Sequence, residues 1–182
     1  MGGGKMNEYV KSDLFRYTGS TDIKSFLKLY FQNAAFRYMC AFRYVKSEKK
    51  MERFLGKILW KFRPRRLLDI PLGTTIGYGL YIGHNGPCVI NSSTVIGDNV
   101  NLSQYVTIGA NEGRAARIGN SVYIGPSCCI VEDVEIGDNA TIGAGSVVTK
   151  SIPPNATAAG NYAKILNYKS PGRFINNKWN MD

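Results

Sequence analysis

The chain has 182 residues, enough for one domain with a continuous core or for one domain with a helical extension. Its hydrophobic content of 44% is ordinary for a soluble protein, no stretch approaches the roughly 20 apolar residues of a membrane span, and the N-terminus lacks the apolar core of a signal peptide, so the expected location is the cytoplasm. The net charge of +10 is lopsided: residues 1–68 hold 16 Lys or Arg against 5 Asp or Glu, leaving 7 against 8 for residues 69–182.

The first part, residues 1–68, reads as helical. Lys11 to Tyr17 leads to a break at Gly19-Ser20-Thr21, where Ser20 or Thr21 suits the cap of a helix starting near Asp22. Phe26, Leu27, Tyr30 and Phe31 then recur at the spacing of an amphipathic helix. Ala34 to Val45 continues the pattern with Phe36, Met39, Ala41 and Phe42, and Met51 to Phe62 makes a further helix that Pro64 ends. Such stripes normally face a core or another subunit. Because Lys57, Lys61, Arg63, Arg65 and Arg66 flank Trp60, peripheral contact with an anionic membrane stays open, as does a plain solvated face; nucleic acid is not expected as a partner.

From residue 69 the period changes. Ile70, Ile76 and Ile82, then Ile90, Ile96, Leu102 and Ile108, then Ile118, Ile124, Ile130, Ile136, Ile142 and Val148 are each six apart. A helix needs a 3.6-residue period and a strand needs two, so a strict six describes a solenoid: each hexad gives one short flat face and one corner, and three make a coil. The expected fold is mainly β, a left-handed parallel β-helix over 69–165, preceded by the α-helical segment and followed by a tail, 166–182, that should pack loosely.

The register slips twice. Two extra residues fall at His84-Asn85-Gly86-Pro87 and four within Ala110 to Ala116. Insertions must leave a solenoid core as loops, where sites are commonly built, and the first contains the only histidine. Cys40, Cys88, Cys128 and Cys129 show no C-x-x-C spacing, so no metal site is expected and the thiols read as small apolar residues.

The array, with V-I-G-D-N-V, V-Y-I-G-P, I-G-A-G-S-V-V-T-K and I-P-P-N-A-T-A-A-G, resembles the hexapeptide-repeat acyltransferases, and most closely their serine O-acetyltransferase branch. The segment S-D-L-F-R-Y-T-G resembles the short members of that branch associated with capsule and exopolysaccharide synthesis. The resemblance implies a homotrimer with sites between adjacent subunits and acetyl-CoA as donor. It implies His84 as the base that takes a hydroxyl proton, oriented by Asp69 fifteen residues earlier, with Pro126 and Ala144 lining the pantetheine channel and Thr149, Lys150 and Lys164 near the nucleotide. The chemistry needs such a pair: a hydroxyl is a weak nucleophile, an imidazole accepts its proton as it attacks the thioester, and a carboxylate fixes the tautomer.

Two positions depart from the branch: Gly83 stands where an aspartate precedes the catalytic histidine, and Ala115 follows Arg114 where a second histidine is expected. With Arg114 and Asn85 left for the acceptor, the expectation is O-acetylation of a sugar hydroxyl in cell-surface polysaccharide synthesis. Serine O-acetylation for cysteine synthesis, and a non-catalytic β-helix scaffold with a basic arm, are the alternatives.

Overall fold

The computed structural model describes residues 6–64 and 67–180; Arg65 and Arg66, named above, lie outside them. Four helices come first, α1 Glu8–Thr18, α2 Ile23–Gln32, α3 Ala34–Val45 and α4 Lys50–Lys61. Their ends follow local chemistry. Asn7 caps α1 by accepting from Tyr9 N and Val10 N, Gly19 closes it at φ 68, and Asn33 caps α3 through Phe36 N. The cap of α2 is Asp22, which accepts from Ser25 N, rather than Ser20 or Thr21: a carboxylate at that end also meets the helix dipole. Where α3 and α4 cross, a Cβ on Gly56 would lie 2.2 Å from Val45 N, so only glycine permits that approach.

The repeat forms a parallel β-solenoid of about five turns with three faces. Face A stacks β1 Leu68–Asp69, β4 Cys88–Ile90, β7 Val106–Ile108, β10 Cys129–Ile130 and β13 Val147–Val148. Face B stacks β2 Thr75–Ile76, β5 Val95–Ile96, β8 Arg117–Ile118 and β11 Glu135–Ile136. Face C stacks β3 Tyr81–Ile82, β6 Asn101–Leu102, β9 Tyr123–Ile124, β12 Thr141–Ile142 and β14 Thr157–Ala159, and is closed by the antiparallel β15 Lys164–Asn167. All thirteen lead residues, Ile70 to Val148, are buried: each ends its short strand, or in β1 directly follows it, and points to the axis. Of the cysteines, Cys40, Cys88 and Cys128 are buried and only Cys129 is exposed.

The helices clamp the first coil. Asp13 accepts two bonds from Arg43, at 2.9 and 3.0 Å, and a third from Leu80 N. Arg43 continues to Ile76 O and Gly77 O, while Arg16 donates to Gly79 O, Asn101 Oδ1 and Asn176 O. Burial lowers the Arg16 guanidinium to about 10. Removing one member of the Asp13–Arg43 pair would leave an unpaired buried charge, at a cost of about 3–5 kcal/mol.

The tail does not pack loosely. Asn99 exchanges two bonds with the backbone of Trp179, Phe15 meets the Trp179 ring edge-on, and Phe174 packs on Tyr123 while its carbonyl accepts from Asn101. Asparagine side chains at the B–C edge supply the donors and acceptors that an extended strap requires, a pairing not visible from the polar composition of the tail.

Candidate active site

The histidine sits on the C–A edge. Leaving β3, the chain makes one 3₁₀ turn, Gly83–Asn85, before Pro87 leads into β4. His84, Asn85 and Gly86 take positive φ values of 54, 63 and 80 in succession. For a residue with a Cβ this backbone costs on the order of 1–2 kcal/mol, so it persists only where surrounding contacts hold it. Two contacts from the helices do so. Asn85 Oδ1 accepts from Ala35 N at 3.3 Å, and the Tyr17 hydroxyl accepts from Ile82 N at 2.9 Å and donates to Ile82 O at 3.0 Å. Burial drives the Tyr17 phenol far above its ordinary value, which keeps that hydroxyl protonated. The imidazole is thereby presented outward, exposed, from a corner that cannot easily relax.

The side-chain oxygen of Asn85, expected on the acceptor side, is bonded to the N-terminus of α3 and so helps to fix the turn. Tyr17 does the same from α1 and was missed. Its sequence signal is only a tyrosine in a helix, indistinguishable from a core aromatic. Asp69 lies on face A, on β1, paired with Val89 of the strand that follows the histidine corner. Both side chains are exposed, and among the described residues no hydrogen bond joins the Asp69 carboxylate to the imidazole.

Above His84 the corners of the C–A edge stack in line. Tyr105 N donates to Pro87 O at 2.6 Å, Ser127 N to Gln104 O at 3.0 Å, and Gly145 N to Pro126 O at 2.8 Å. At about 4.8 Å per coil, Pro126 stands about 10 Å and Ala144 about 14 Å along the edge from the histidine corner. Beyond β14 the chain crosses the top of the same edge, with Ala163 N donating to Val147 O, and enters β15 at Lys164. His84, Pro126, Ala144 and Lys164 thus share one edge. Thr149 and Lys150 do not: they follow β13 at the A–B edge, and both are exposed. Gln104, one coil above His84, was not anticipated. Its Oε1 is buried without a hydrogen-bond partner, and the hexad pattern treats it as an ordinary corner residue.

The second insertion belongs to the A–B edge, between β7 and β8. Glu132 Oε2 accepts from Asn111 N, Glu112 N and Gly113 N, and Asp133 Oδ1 from Arg114 N. The three N–H groups hold the Glu132 carboxyl below its ordinary value. Arg114 borders a cavity of about 360 Å³ together with Ser93, Val95, Arg117, Asp133 and Glu135. Arg114 and His84 stand on different edges of the prism.

The family described as bacterial transferase hexapeptide (six repeats) matches residues 115–150. Serine acetyltransferase 3, mitochondrial, of Arabidopsis thaliana is 41% identical over 106 residues, 56% of this chain and 27% of that protein, so the chain spans about a quarter of that relative's length. The soybean serine acetyltransferase apoenzyme superposes with a TM-score of 0.71 at 29% identity, over 87% of this chain and 67% of that one. The Neisseria gonorrhoeae serine acetyltransferase in complex with serine gives a TM-score of 0.63 at 32% identity, over 86% and 67%.

These relatives correct the acceptor. These relatives and structural neighbours are serine acetyltransferases, which overturns the expectation of a sugar hydroxyl, and with it polysaccharide synthesis and the capsule-associated branch. That expectation rested on positions 83 and 115. Both are buried here, Ala115 at 2%, so neither shows the acceptor surface by its own side chain.

Proposed function

Since the chain belongs to the hexapeptide-repeat transferases, we propose that it is an acetyl-CoA-dependent O-acetyltransferase acting on the hydroxyl of serine. The observation that carries this reading is the C–A edge, where an outward histidine on a fixed turn ends a column of corners containing Pro126 and Ala144. Serine as acceptor is supported by the relatives' names and by the serine complex of the Neisseria protein.

In this mechanism the acetyl thioester of the donor lies along the C–A edge with its carbonyl carbon beside His84. The free nitrogen of the imidazole takes the proton from the serine hydroxyl as its oxygen attacks that carbon. Collapse of the tetrahedral species expels the CoA thiolate, which takes the proton back from the imidazolium. Asp69 is the carboxylate that orients the imidazole. Lys164 meets the phosphates at the top of the edge as a mobile point charge.

Arg114 pairs with the serine carboxylate, and because it stands on the A–B edge, one chain does not complete the site. A cyclic trimer brings the A–B edge of one subunit against the C–A edge of the next. The test is direct: protein, acetyl-CoA and L-serine are incubated, and thiol release is followed together with O-acetylserine. Serine-dependent release is expected; acetyl-CoA turnover indifferent to serine would overturn the acceptor assignment.

A further inference from the structure

The outward side of α4 does not resemble the surface of a water-exposed helix. Met51, Phe54, Leu55, Ile58 and Phe62 recur at three- and four-residue intervals along one side, and Met51, Phe54 and Phe62 are 80%, 64% and 77% exposed. The opposite side packs inward through Gly56 and Trp60, the indole ring lying 5.3 Å from Tyr38 and the Arg63 guanidinium 3.5 Å above it. Trp60 is therefore an inner anchor, not the interfacial residue that its basic neighbours suggested. Between the two sides runs a third sector, Lys50, Arg53, Lys57 and Lys61, next to the apolar one when positions are taken about 100° apart. Helix α2 repeats the arrangement with Ile23, Leu27 and Phe31 exposed and Lys24 and Lys28 beside them, and none of its residues is buried.

We propose that this face docks on an anionic lipid surface. The apolar side chains enter the boundary between headgroups and acyl chains, and the adjacent cations meet lipid phosphates. Charge selects lipid over a second copy of this chain. Pairing two copies through α4 would bring two cationic sectors to the rim of the contact with no acid opposite them, since Glu52, the only acidic residue of α4, is engaged by Asn7, Ser47 and Lys49. No helix among the described residues is long and apolar enough to cross a membrane, so the contact is peripheral. The proposal stands independently of the acetyl-transfer reading.

The experiment is co-sedimentation of the full chain with phosphatidylcholine vesicles, with and without phosphatidylglycerol, at low and high salt. Its second arm is the surface variant Phe54→Ser/Phe62→Ser, with the mass of the lipid-free assembly measured for both proteins. About a hundredfold preference for phosphatidylglycerol vesicles is expected, weakened by salt and lost in the variant at unchanged mass. Equal binding to both vesicles, binding retained by the variant, or no binding at all would overturn it. A smaller assembly in the variant would also overturn it, by showing that a second copy covers the face.

Discussion

The two insertions in the repeat arise by the same sequence event and are built in opposite ways. The one at 83–87 is pinned from outside the solenoid, by Ala35 N on Asn85 and by Tyr17 on Ile82. The one at 110–116 is held from within, by Glu132 and Asp133 of the next coil, and its arginine borders a cavity. A base must hold one geometry against a reacting proton, whereas a group that clamps a carboxylate tolerates some movement. Under the proposed mechanism this difference in support matches a division between chemistry and recognition, on two different edges.

Substitutions can break that division in order of severity. His84→Ala should lower kcat by about 10² to 10⁴ with little change in serine KM, as removal of a positioned base does. Arg114→Ala should instead raise serine KM by about 10- to 100-fold at nearly constant kcat, the loss of a charge-assisted pair. Steady-state kinetics on both variants checks the pair, and interchanged effects would refute the division. Asn85→Ala removes the bond to Ala35 N that fixes the turn, so kcat should fall about fivefold with KM unchanged, about 1 kcal/mol for the lost bond.

The smallest effect concerns Glu132. Its carboxyl is held below the ordinary value, so its charge and its grip on the loop are present at neutral pH and are lost only as pH falls through that lowered value. Glu132→Gln should raise serine KM about two- to threefold at neutral pH and leave kcat alone, a difference that disappears in acid. Initial rates across pH would show it.

Much of the solenoid was legible because its period is set by single residues. Each buried lead side chain occupies the same position in its coil, so Ile70 to Val148 announce the core without any tertiary information. The extra residues around His84 were legible for the same reason, as departures from a strict count. What surrounds the histidine was not. Tyr17 and Ala35 reach it across 65 and 50 residues, through contacts that no local pattern encodes. The C-terminal strap was hidden likewise, because Trp179 finds Asn99 only after the B–C edge exists. The acceptor was misread from Gly83 and Ala115, two small residues whose meaning depends on what faces them, whereas similarity over a hundred residues integrates the whole site.

The central claim is that His84 of one subunit and Arg114 of its neighbour form one site. Co-expressing differently tagged His84→Ala and Arg114→Ala chains and isolating mixed trimers tests it, with activity read at serine well below KM. A mixed cyclic trimer should regain one intact site, about one third of wild-type activity. Activity no higher than the average of the two parent variants would contradict the shared site.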